Sequence, residues 1–156
     1  MNVIDAPLDG SGLHIGVVAG RFNTLVSTSL VAGTRARLTA LGVADDDIHL
    51  AWVAGAFEVP LAARAMAESG RYDAVVCLGA VIRGETPHFD YVAGEAAAGI
   101  MRVGQDTGVP VAFGVLTTDT VEQAMERADV DRGDKGADCA DAAVEMARLL
   151  GAIGGG

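Results

Sequence analysis

The chain has 156 residues and a formal net charge of −10, with 11 Lys and Arg against 21 Asp and Glu. That is enough length for one domain with a buried core, and it lacks the basic footprint that a nucleic-acid surface needs. Two cysteines, Cys77 and Cys139, are too few and too separated for a disulfide framework or metal cluster. They read as free thiols of a reducing cytoplasm. The opening MNVIDAPLDGSG is not basic and then apolar, as a secretory signal would be, and no run is long enough to span a membrane.

After an arm over residues 1–12, the first apolar run, 13–19, predicts a strand and leads into Gly20-Arg21-Phe22-Asn23. A helix starting near Asn23 places Val26, Leu30, Leu38 and Leu41 on one face. Asp45-Asp46-Asp47 reads as a solvated turn before a second strand at 48–53, within which His49 is a core or edge position. Gly55-Ala56-Phe57-Glu58 follows, and Pro60 suits the first turn of a helix with a stripe of Leu61, Ala65 and Met66. A third strand at 74–82 ends in the segment Arg83 to His88. Pro87 and His88 open a helix whose stripe is Val92, Ala96, Ile100 and Val103. The fourth strand is predicted at 109–116. Asp119 with Glu122 matches a capping box for a short helix, and Asp134 caps the last helix, with stripe Ala140, Val144, Ala147 and Leu150. The glycine-rich close, 151–156, is expected to be a flexible tail.

The four runs are apolar at successive rather than alternate positions, as strands of a parallel sheet buried on both faces are. Strand and helix alternate, so the chain reads as one α/β domain: a three-layer αβα sandwich, flavodoxin-like, with a central four-stranded parallel sheet and right-handed crossovers. Mean hydropathy of +0.35 and alanine-rich helices leave apolar surface over, which predicts a homo-oligomer.

Three strand ends carry reactive or aromatic residues. Phe22 and Phe57 offer stacking faces for a planar ring, though packing explains either one alone equally well. Glu58 can accept from ligand hydroxyls or complement a helix dipole. His88 suits proton transfer near neutrality. Gly84, Glu85, Thr86 and the amides after them form a polar turn at a positive helix end, fit for phosphate. Arg127 has the fork geometry for a phosphate, or is a helix C-terminal charge. Lys135 is the sole lysine. GxxxxGK[ST] and GxGxxG cradles are absent, the histidines lack metal spacing, and no Ser or Cys stands in a nucleophile turn.

GRFN at 20–23, GAFEVP at 55–60, GAVIRGETPHFDYV at 79–92, PVAFGVLTTDTVEQAMERA at 110–128 and DKGADCA at 134–140 together resemble the 6,7-dimethyl-8-ribityllumazine synthase family over nearly the whole chain. The resemblance implies condensation of 5-amino-6-(D-ribitylamino)uracil with 3,4-dihydroxy-2-butanone 4-phosphate, releasing phosphate and water, in the cytoplasm and with no metal or redox cofactor. It implies that Phe22 stacks on the pyrimidine, that Ala56, Phe57 and Glu58 border the ring and ribityl chain, and that Ala80, Val81 and Ile82 lie along the same substrate. Phe113 would come from a neighbouring subunit, Glu85 and Thr86 would hold the phosphate with Arg127 as its cation, Lys135 would assist, and His88 would move protons. Pentamers, or icosahedral shells of pentamers, are the implied assemblies. Ala54, Asp129, Asp131 and Asp134 depart from the common pattern. A non-catalytic lumazine- or flavin-binding shell or carrier protein is the alternative, which His88 disfavours; a riboflavin-forming relative and a Schiff-base lyase using Lys135 are further rivals.

Overall fold

Runs that are apolar throughout need cover on both sides, and the helices between successive strands supply it. The computed structural model describes residues 1–155. Among them are strands β1 (Ile15–Gly20), β2 (Ile48–Val53), β3 (Ala74–Ile82) and β4 (Val111–Thr118), and helices α1 (Thr24–Ala40), α2 (Val59–Glu68), α3 (His88–Thr107), α4 (Val121–Ala128) and α5 (Lys135–Ile153). The sheet is wholly parallel, in the order β2-β1-β3-β4. One face carries Ile15, Val17, Val76 and Leu78 against Leu30 and Leu38 of α1, Ala124 of α4 and Val144 of α5. The other carries Val18, Val75 and Cys77 against Val59 and Ala63 of α2 and Ile100 and Val103 of α3. Burying one such Leu or Ile contributes about 1.5–3 kcal/mol. The expected α/β sandwich is thus the observed one.

Several local expectations need correction. Only the central strands are buried on both faces: β1 throughout, and β3 throughout except Ile82. β2 and β4 are the sheet edges, and Leu50, Trp52 and Phe113 stand exposed on them. β1 starts at Ile15 rather than 13, because the His14 amide donates to Asp73 Oδ2 at 2.8 Å instead of entering the ladder. β4 is displaced two residues toward the C-terminus. Pro110 lacks an amide hydrogen to donate, and pairing continues to Ile82 opposite Thr118. In α2 the buried stripe is Val59, Ala63 and Ala67, while Leu61 is 77 % exposed and Ala65 is exposed. The small residues are the ones that let the helix settle on the sheet. The capping box of α4 is Thr120 with Gln123, one residue past the predicted pair: Thr120 Oγ1 accepts from the Gln123 amide at 3.1 Å, and Gln123 Oε1 accepts from the Thr120 amide at 3.2 Å. Asp119 is engaged elsewhere, by Arg83. Asp134 does cap α5, accepting from the Ala137 amide at 3.4 Å. That helix runs on to Ile153, so residues 151–153 of the expected tail are helical; Gly156 lies outside the described residues.

α1 and α5 cross almost in backbone contact. A Cβ added to Gly136 would fall well inside contact distance of the Leu30 carbonyl oxygen and 2.8 Å from the Thr34 amide. The buried Thr34 hydroxyl donates to the Gly136 carbonyl at 3.0 Å, tying the helices at that point.

Cys77 and Cys139 are both buried and unpaired. Burial pushes the Cys77 thiol from an ordinary 9.0 up to about 12 and the Cys139 thiol up to about 11. Thiolate is the reactive form, so both are inert in the folded chain. Iodoacetamide at pH 8 is expected to label neither in the native protein and both after unfolding in guanidinium, as read by intact mass; native labelling would mean that the sheet opens. Because the folded chain keeps these protons to higher pH than the unfolded chain does, stability is lost as pH rises above about 9.

Candidate active site

The chain passes from β1 outward to β2 and then returns over β1 to β3, so the strand order reverses between β1 and β3. In open α/β sheets the crevice outside the carboxyl ends at such a reversal is the usual ligand site. Two strand-end loops meet there. The Arg21 and Phe22 amides donate to the Val53 and Ala54 carbonyls at 2.7 and 2.9 Å. Gly20 permits the approach, since a Cβ there would lie 3.0 Å from the Gly55 carbonyl carbon.

The result is a cleft of about 810 Å³. Ala56, Ala80, Val81 and Ile82 supply a largely apolar wall, and Phe22, Phe57, Glu58, Thr86 and His88 also line it. Phe22 and Phe57 are 71 % and 62 % exposed. Uncovered aromatic area at a concave site is what either a planar ligand or a neighbouring copy would cover. His88 is the first residue of α3, next to the positive end of a 20-residue helix. Glu58 is the N-cap residue of α2.

Ten of the residues singled out as site candidates from the sequence therefore meet in one cleft: Phe22, Ala56, Phe57, Glu58, Ala80, Val81, Ile82, Gly84, Thr86 and His88. Four do not line it. Glu85 is exposed in the same 83–87 loop. Phe113 is half exposed on the β4 edge and lines a second, apolar groove of about 510 Å³ with Met101, Met146 and Leu150. Arg127 and Lys135 belong to the α4–α5 corner, where the Gly133 amide donates to the Glu126 carbonyl at 3.0 Å. There Arg127 Nη1 donates to the Gln123 carbonyl at 3.0 Å, and Lys135 Nζ donates to Asp138 Oδ2 at 3.2 Å.

Three lining residues escaped the sequence reading, Phe89, Tyr91 and Glu95. For the last two the signal was present: with His88 and Val92 they fall at i, i+3, i+4 and i+7, one stripe of α3, adjacent to its core stripe.

Among the described residues no cluster of His, Cys, Asp and Glu has the makings of a metal site, and no helix is long and apolar enough to cross a membrane. Compared with known families, residues 12–151 match a family model described as 6,7-dimethyl-8-ribityllumazine synthase.

Proposed function

The chain belongs to the 6,7-dimethyl-8-ribityllumazine synthase family, a transferase family of riboflavin biosynthesis that acts on small molecules, and from that premise we propose that it condenses 5-amino-6-(D-ribitylamino)uracil with 3,4-dihydroxy-2-butanone 4-phosphate in the cytoplasm. The observation that carries the reading is the strand-end cleft in which Phe22, Phe57, Glu58, Thr86 and His88 converge. A flat pyrimidine stacks on the exposed phenyl rings, while Glu58 accepts from hydroxyls of the ribityl chain. The phosphate of the second substrate sits at the α3 N-terminus, where backbone amides point outward, with Glu85 contributing its amide and Thr86 its hydroxyl.

Within that arrangement the amine of the first substrate attacks the ketone of the second. The carbinolamine loses water to give an imine; proton loss from the adjacent carbon gives an enamine whose electrons expel phosphate; the enol that results tautomerises to a ketone, and the second nitrogen closes the ring on it with loss of water. His88 carries protons between these steps. Holding two reactants side by side is worth much by itself, with effective molarities that reach about 10⁵ M or more for well-oriented pairs.

Arg127, Lys135 and Phe113 complete the site from a neighbouring copy in this reading. Its support is that all three lie outside the cleft of their own chain while the β4 edge carries an uncovered apolar groove. A pentamer, alone or in a shell, is the proposed assembly.

The test follows appearance of the fluorescent lumazine from the two substrates, corrected for the uncatalysed reaction. Turnover above the blank supports the synthase; tight lumazine binding without acceleration supports a carrier instead. Arg127→Ala is expected to raise the KM for the butanone phosphate about 10-fold or more, the scale of one lost charge-assisted hydrogen bond, with the KM for the aminouracil nearly unchanged. Equal changes in both constants would remove Arg127 from the phosphate.

A further inference from the structure

Arg83 is the first residue after β3, and four contacts radiate from it. Its amide donates to the Thr118 carbonyl at the end of β4 at 2.8 Å. Its Nε donates to Asp119 Oδ1 at 2.9 Å, and its Nη1 lies 3.9 Å from Asp90 Oδ1 in the first turn of α3. The guanidinium carbon sits 4.4 Å from the centre of the Phe89 ring. One side chain thus joins the end of β3, the β4–α4 turn and the start of α3. His88 immediately precedes the two α3 residues that Arg83 grips. The intervening loop, residues 84–87, makes no side-chain hydrogen bond among the described residues, and a Cβ on Gly84 would meet nothing within 4 Å. The loop's other ties are its covalent ends and the backbone hydrogen bond from Asp90 to Pro87, while Phe89 and Val92 rest the start of α3 on the core.

We propose that Arg83 is a positioning residue for His88: it fixes the first turn of α3 against the sheet end so that the imidazole is held over the reacting atoms. The proposal rests on the reaction assigned above. Arg83 is half exposed and so are its carboxylate partners; surface pairs of this kind contribute little to stability. Its effect is on geometry, where small displacements cost rate. The Nε–H reaches Asp119 while the flat face covers the Phe89 ring, and a lysine ammonium cannot reproduce that planar arrangement.

A double-mutant cycle tests it, with kcat from lumazine fluorescence and melting temperature measured alongside. We expect Arg83→Ala to lower kcat about fivefold when His88 is present and less than about 1.5-fold in a His88→Ala background, the non-additivity of residues that act through one another. Arg83→Lys should keep the fold and lose about twofold, again only with His88 present. The melting temperature should move little. Equal factors in both backgrounds for both substitutions, or no effect of either, would overturn the inference while leaving the assigned reaction intact. Absence of turnover by the unaltered protein would overturn the assigned reaction and this inference with it.

Discussion

Replacing His88 by alanine will lower kcat about 10²-fold while product still forms faster than the blank, the low end of what a positioned general acid–base contributes. The low end is expected because, in the proposed reaction, holding the two substrates side by side supplies much of the rate. That part of the rate is independent of His88. Phe22, Phe57 and the amides at the head of α3 stay in place, so on the proposed reading the two substrates would still be held together and their KM values are expected to change less than about twofold, the pattern of a group that acts in the transition state alone. Steady-state kinetics with each substrate varied in turn will show this. An unchanged kcat would exclude His88 from the chemistry, and a rise in KM with kcat preserved would make it a binding residue.

The largest effect on stability is expected at Gly136. Alanine there would push a methyl group into the Leu30 carbonyl and against the Thr34 amide, both backbone atoms of a packed helix that cannot turn aside. The helices must separate, and the buried hydrogen bond from Thr34 to the Gly136 carbonyl goes with them. Overpacking of this kind costs about 1–3 kcal/mol, and losing the buried bond adds about 1 more. A loss of about 2–4 kcal/mol corresponds to roughly 4–16 °C in melting temperature for a chain of this size. Gly151, in the same helix, meets nothing within 4 Å; alanine there is expected to gain about 0.5–1 kcal/mol. Thermal melts at equal subunit concentration, needed because association adds to apparent stability, will separate the two. Equal behaviour at both positions would mean that α1 and α5 do not touch.

How much of this was legible in the sequence depended on what each residue reports. The bounds of β2 and β3 could be read because both are continuous apolar runs between polar segments. β2 was misjudged as doubly buried because hydrophobicity records everything a residue is covered by, other copies included; Leu50 and Trp52 are apolar yet exposed in the single chain. The same cause misdirected α2, where Leu61 outweighed Ala63 and Ala67 by size, though the alanines face the sheet. In the site, Phe22, Phe57 and His88 were visible because such residues at strand ends are unusual. Tyr91 and Glu95 were hidden within an ordinary helical pattern. That Arg127, Lys135 and Phe113 lie away from the cleft depends on the direction in which distant segments face, which spacing along a chain does not carry.

The cleft and the Phe113 groove are different surfaces of one chain, with different shapes and residues. If one completes the other between copies, the contact joins unlike surfaces. A two-fold pair can do that only where groove and cleft share one patch, so that each meets the other across the axis. A head-to-tail contact satisfies every copy only when its rotation closes into a ring; otherwise it grows without end. In such a head-to-tail joining, the angle at which one copy's groove meets the next copy's cleft would decide both how many copies close the circle and whether each cleft is completed.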